Sequence, residues 1–453
     1  MNRLKRHNPT LCLCAILLAT TSTFAQLTKA SDETIKPDER AAQALFEDAN
    51  GYLGKRYQEY NKKNLPYDAK LEAQTKLEQR ELAIRNAATL GARKALKLED
   101  LYYLGLLQHL AGDGDAVLNT MRLLLKDDPD GEKAQTARNV VVLYTIKKDL
   151  VPEAVATVDA YVRHQPQNPD DRYKMEFLIA EAYLRARDYA LTTIYAQRMM
   201  EAAKSFATTR KSEVFKRDEM LLKSALLLSD VYLKTNRKEL AVQTFEDLRR
   251  MSIALPSGNL YKQATFRLFN LNPTVDPRRN TDDVASVTTE APPEIVGTQW
   301  IDQEPKKLAD LRGQVVLLDF WAPWCGPCRY TFPKLARWQQ TYKDKGLVIL
   351  GLTKYYGHDE EKKLTPGEEL IYLRDFKKRN RLSYGFVVDD SSTNDLNYGV
   401  YSIPMSFLID RRGVLRFIAS SADETDLAEL GRMIKKLVEE PVEAKSETDS
   451  REK

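Results

Sequence analysis

From about residue 32 to residue 271, leucines and alanines recur at intervals of three and four with few β-branched runs, the spacing that gives a helix one apolar face. This pattern predicts helices almost throughout and requires no strand. Four helix pairs recur within it, at 101–129, 136–169, 173–204 and 219–251. Each folds around a short polar turn: Gly112-Asp113, Lys148-Asp149, Arg187-Asp188 and Asn236-Arg237. The steps between turns are 36, 39 and 49 residues, the last lengthened by a charged segment at 205–218 that reads as an insertion. Beyond residue 293 the texture changes. Short apolar runs at 315–319, 347–352, 386–388, 407–409 and 414–418 alternate with helical or loop segments, which predicts an α/β domain. Its last helix carries Leu427, Leu430, Ile434 and Leu437 on one face, as a helix covering a sheet should.

The helix pairs are similar to tetratricopeptide repeats, most clearly in the last, where Tyr232, Ala241 and Phe245 keep that family's spacing. Leu104-Gly105 and Pro129 match it in the first pair, and the middle two are looser. An irregular domain of ordinary amphipathic hairpins is the alternative, and both offer a helical surface without chemistry of its own. Residues 272–293 hold four prolines and many small polar residues, the composition of a linker. Residues 439–453 carry six acids, three bases and no aromatic residue, and are expected to be disordered.

The first residues differ from all of these. Arg3, Lys5 and Arg6, then an apolar run at 11–19, then Thr23-Phe24-Ala25 form the three parts of a secretory signal peptide, with cleavage expected after Ala25. The apolar run is about half of the ~20 residues that a spanning helix needs. The expected organisation is therefore multidomain: a signal peptide at 1–25, an α-helical repeat domain at 32–271, a linker at 272–293, an α/β domain at 294–438 and a charged tail. The expected location is the periplasm or another part of the cell envelope.

Charge excludes one class of partner. The chain carries +4, and loss of the three basic residues at its start leaves 66 bases against 65 acids, so there is no electrostatic case for nucleic acid. Cleavage also removes Cys12 and Cys14, leaving Cys325 and Cys328 as the only thiols. A bridge closing so short a loop removes little unfolded-state entropy, so stapling is a poor explanation for it. Zinc would need about four ligands, and two thiols with the dispersed His109, His164 and His358 do not supply them. No metal or cofactor is expected.

The apolar run at 315–319 leads into Phe320-Trp321-Ala322-Pro323 and then Trp324-Cys325-Gly326-Pro327-Cys328. A strand entering a tight turn, with a helix beginning at the turn, puts Cys325 at a helix N-terminus. Unpaired N–H groups and the dipole there stabilise a thiolate, which makes Cys325 the nucleophile. Cys328 lies about one helical turn on, placed to resolve a mixed disulfide.

With these residues in view, the C-terminal third resembles the thioredoxin superfamily, specifically exported thiol-disulfide oxidoreductases of the TlpA and ResA type. Leu311-Arg312-Gly313, the WCGPC motif, Phe332-Pro333, and the run from Tyr398 to Pro404 before Phe407-Leu408-Ile409-Asp410 and Gly413 fall in that family's order. The resemblance implies a thioredoxin-like α/β fold and a cis Pro404 facing the thiols. It assigns client contact to Trp324, Gly326, Pro327, Ile403 and Pro404. It also implies that Asp319 is a buried acid serving Cys328 as a proton acceptor, with an ordinary strand-end aspartate as the alternative. Met405 departs from the threonine common after that proline, which bears on client preference. A peroxidase of the same fold would place threonine or serine at position 322, which is Ala322 here.

The expected function is reduction of protein disulfides through the dithiol, with electrons from an envelope dithiol donor and a protein partner or client on the helical repeats. The alternative is a helical interaction scaffold whose thioredoxin-like domain only docks partners; the presence of both cysteines and Pro404 argues against it.

Overall fold

The computed structural model describes residues 39–279, 291–359 and 361–441; the expected signal peptide, half of the expected linker (280–290) and nearly all of the charged tail lie outside them. The chain divides into two compact units, residues 1–120 and 121–453.

The first unit contains α1 (Ala42–Asn50), α2 (Tyr52–Lys62), α3 (Ala69–Gly91) and α4 (Leu98–Ala111), with the start of α5 (Gly114–Asp127), the helix in which the division falls. Leu45, Ala83, Leu90, Leu104 and Leu107 make its core. The buried Asn86 is held in this core by Nδ2, which donates to the Leu45 carbonyl at 2.8 Å.

The second unit continues with α6 (Ala134–Lys147), α7 (Val151–Arg163), α8 (Pro169–Arg185), α9 (Tyr189–Thr209), α10 (Val214–Lys234), α11 (Lys238–Ala254) and α12 (Gly258–Leu271). All four predicted turns separate consecutive helices, and at each one residue takes a left-handed backbone: Gly112, Asp149, Arg187 and Asn236, at φ +72°, +58°, +58° and +56°. That conformation ends a helix by turning its last carbonyls toward the following N–H groups. The insertion at 205–218 is mostly helical. Its first residues finish α9 and its last begin α10, and the added length goes into helices of 21 residues each.

A six-stranded sheet follows: β1 (Gln299–Ile301), β2 (Val315–Phe320), β3 (Leu347–Lys354), β4 (Gly385–Asp389), β5 (Met405–Ile409) and β6 (Leu415–Ala419), in spatial order β1-β4-β3-β2-β5-β6. The pairs β2–β3 and β3–β4 are parallel, and the other three are antiparallel. Helices α13 (Gly326–Tyr342), α14 (Pro366–Arg379), α15 (Thr393–Asn397) and α16 (Glu424–Glu439) complete the fold. Every residue of β2 is buried, as expected for a central strand covered on both faces.

Alternation along β2 sends Val315 and Leu317 into one core and Val316, Leu318 and Phe320 into another. The first core contains Phe332 and Leu335 of α13, Leu373 and Phe376 of α14, and Leu430, Ile434 and Leu437 of α16. The second is closed by Tyr398, Val400, Ile295 and Leu311, together with Ile253 of α11 and Tyr261 of α12. The last two helices of the helical region are thus packed on the sheet. Their approach is close: a Cβ on Gly258 would lie 1.8 Å from Met405 Sδ, so only glycine fits where α12 begins. Just after α12, Arg278 bonds Asp276 and also pairs with Asp423, the residue that caps α16.

Candidate functional site

The turn that ends β2 is held before the helix begins. Cys325 N–H donates to the Ala322 carbonyl at 3.1 Å, and the Arg329 guanidinium reaches back to the Pro323 carbonyl through Nε at 2.8 Å and a terminal nitrogen at 2.6 Å. Cys325 is then the N-cap of α13. Its Sγ accepts from the Cys328 backbone N–H at 3.2 Å, one of the donors that a helix start leaves without an intrahelical partner. Gly326 and Pro327 fill the first helical positions, where proline's missing N–H costs nothing. The two sulfurs are joined as a disulfide.

Exposure separates the two cysteines. Cys328 is 0% exposed and Cys325 4%, while Trp324, Gly326 and Pro327 form an exposed rim around them. Trp324 is half exposed and meets Tyr356 edge to face at 5.4 Å. The Ile403–Pro404 peptide bond is cis, Pro404 is buried, and Ile403 packs against the core that contains both cysteines. Ile403 also lies just outside the β5 ladder, whose first paired residue is Met405.

Asp319 is fully buried on β2 and alternates onto the sheet face of Leu317, the side of the cysteine-bearing helix. Its Oδ1 accepts from Ser406 Oγ at 2.7 Å across the β2–β5 ladder, where the two residues are directly paired. Its Oδ2 has no hydrogen-bond partner among the described residues. Burial raises the carboxyl pKa to about 7, against the lowering effect of the Ser406 hydrogen bond. The side chain is cut off from solvent, and its hydrogen bond goes to Ser406 and not to a sulfur.

The structure thus brings Cys325, Cys328, Ile403 and the rim residues to one end of the sheet. Sequence reasoning missed Ser406, the support for Asp319, and Tyr384, a buried hydroxyl pushed well above its ordinary pKa by burial and by the Asp319 charge. The register that pairs residues 319 and 406 across 87 positions leaves no local trace in the sequence. Also missed was a set of groups from α10 and α12 on the 398–402 segment, described below.

Residues 288–418 match the AhpC/TSA family model. The chain is 31% identical over 115 residues to the thioredoxin-like protein YneN of Bacillus subtilis, covering 25% of this chain and 61% of that protein. It is 31% identical over 142 residues to the protein DipZ of Mycobacterium bovis, covering 30% of this chain and 19% of that one. It thus spans less than two thirds of either protein. Against the thiol-disulfide oxidoreductase ResA of Bacillus thuringiensis subsp. konkukian, identity is 31% over 138 residues, 30% of this chain and 72% of that protein. With most of that oxidoreductase matched, and with a dithiol at a helix start beside a cis proline, the chain belongs to the family of thioredoxin-like thiol-disulfide oxidoreductases.

Proposed function

We propose that this protein is exported and reduces disulfides in client proteins through Cys325 and Cys328. One observation carries the assignment of roles: Cys325 Sγ caps α13, accepts the Cys328 N–H, and is the less buried of the pair. In the reduced protein that N–H and the helix dipole favour the Cys325 thiolate, which attacks one sulfur of a client disulfide. The client's other sulfur leaves as a thiolate. Cys328 then gives up its proton, with Asp319, buried on the same side of the sheet, as its acceptor, and attacks Cys325 Sγ. The client leaves with both its thiols, and the protein is left with the Cys325–Cys328 disulfide.

A carboxyl whose pKa stands near 7 both accepts and returns a proton at neutral pH, which suits that second step. Ile403, just beyond the β5 ladder, offers its backbone to an extended client, with Trp324, Gly326, Pro327 and Pro404 shaping the groove. The electron pair is returned by a dithiol donor in the envelope. Export rests on the basic, apolar and small-residue pattern of residues 1–25. No helix among the described residues is long and apolar enough to cross a membrane. The tetratricopeptide-like helix pairs supply a surface for clients or a protein partner.

Insulin with a dithiol donor tests the reading. The chain from Gln26 onward should precipitate the insulin B chain catalytically, and Cys325→Ser should reduce the rate to that of the donor alone. Activity that survives this substitution would remove Cys325 from the mechanism.

A further inference from the structure

The segment at 398–402 runs directly into the cis proline, and it is held from the helical region. Helix α12 begins at Gly258, and four N–H groups at a helix start need partners outside the helix. The Ser257 side chain takes that of Leu260 at 3.2 Å. Those of Gly258 and Asn259 go to the carbonyls of Tyr398 and Gly399, at 2.9 and 2.8 Å. One turn on, Lys262 Nζ donates to Ser402 Oγ at 2.8 Å. From α10, Phe215 meets the Tyr401 ring edge to face at 6.1 Å.

The packing beneath these contacts is equally close. Gly399 has φ +56°, and a Cβ there would lie 2.8 Å from Ser257 Oγ and 3.1 Å from Asp218 Oδ2. Asp218 is buried; it accepts from Ser257 Oγ and from Arg217 Nε, the latter at 2.8 Å. The buried Arg217–Asp218 ion pair, with a second hydrogen bond from Ser257, anchors the start of α12 beneath Gly399, because breaking it leaves a charge unpaired out of water.

We infer that α10 and α12 position the cis-proline loop for client recognition, with Ser257, Gly258, Asn259 and Lys262 as the positioning residues. The inference rests on the proposed function in one respect: the loop matters to catalysis because a client pairs beside Pro404. Small disulfides make no such pairing, so they need only the thiols and not the loop. The helical region then acts on the reaction through its last hairpin, whether or not its other surfaces bind clients.

The test uses the full chain with Asn259→Pro and Lys262→Met. Proline is tolerated in the first turn of a helix and removes only the N–H given to Gly399, and the Lys262 contact is at the surface. Amide exchange across 398–403 should rise about tenfold or more, while α16 keeps its protection. The KM for insulin should rise about tenfold, with kcat, the rate with dithiobis(nitrobenzoate) and the thiolate titration of Cys325 unchanged. Unaltered exchange at 398–403 with unaltered KM would overturn the inference. So would an equal fall with both substrates and a displaced Cys325 titration, because the helices would then only support the fold. If the unsubstituted protein does not reduce insulin at all, the functional reading has failed, and the exchange arm alone decides whether the loop is held. An Arg217→Met/Asp218→Leu double variant, which removes the anchor without stranding a charge, should reproduce the exchange result.

Discussion

Replacing Asp319 with asparagine removes a titration that the fold itself has displaced. The carboxyl is fully buried, keeps one hydrogen bond from Ser406, and has its pKa raised to about 7. In the unfolded chain it titrates near ~3.9. Between these values the folded protein holds a proton that the unfolded chain has lost, so raising the pH favours unfolding. The loss of stability begins above the unfolded value and levels off above the folded one. At about 1.4 kcal/mol per pKa unit, the part that falls between pH 5 and pH 8 is about 2–3 kcal/mol. Guanidinium unfolding of the oxidised protein and of D319N at the two pH values measures it, since all other groups titrate in both proteins and cancel in the difference. D319N should gain about 2–3 kcal/mol on the unsubstituted protein in going from pH 5 to pH 8. Stability curves that run parallel across that range would show that the carboxyl titrates normally, and Asp319 would lose its proposed part in proton transfer.

Other outcomes follow from the same structure. In the reduced protein, alkylation as a function of pH should show Cys325 titrating well below the ~8.5 of a free thiol, and an ordinary value would remove the argument from the helix N-terminus. Tyr261→Ala should cost about 3–5 kcal/mol, measured by denaturant unfolding, because the ring is fully buried between α12 and the sheet. A fragment starting at Glu294 lacks both Ile253 and Tyr261 and should bind apolar dyes; a compact, dye-silent fragment would contradict the packing of α11 and α12 on the sheet. Mass spectrometry of protein from its native envelope should find an N-terminus at Gln26, and an intact Met1 would count against export.

The helical region was legible because its signals are local. Apolar residues at three- and four-residue spacing and a polar pair at each turn located every hairpin from α4 to α11, down to the residues that take left-handed conformations. Strands β2 to β6 were legible as apolar runs. The edge strand β1 was not, since Gln299–Ile301 is too short to show an alternation. Within the site, the cysteines stand in one compact motif that the sequence shows by itself, whereas Pro404 was implied by the family resemblance, and its peptide bond is cis. The partners of Asp319 and of the 398–402 segment are set by strand register and by the docking of α12. An amphipathic pattern does not show that Ile253 and Tyr261 are covered by a sheet from later in the chain. The insertion at 205–218 was visible as added length, but its form was not, since a charged run does not show whether it extends two helices or joins them.

The central claim is that Cys325 makes, and Cys328 resolves, a covalent bond to a client sulfur. Cys328→Ser in the chain from Gln26 onward isolates the first step. Incubated with insulin and quenched with acid, this variant should yield a mixed disulfide that a reductant dissolves and that peptide mapping places on Cys325. No adduct should form with Cys325→Ser. Failure of the Cys328→Ser protein to form the adduct while still folded, or an equal yield of adduct from Cys325→Ser, would contradict the account.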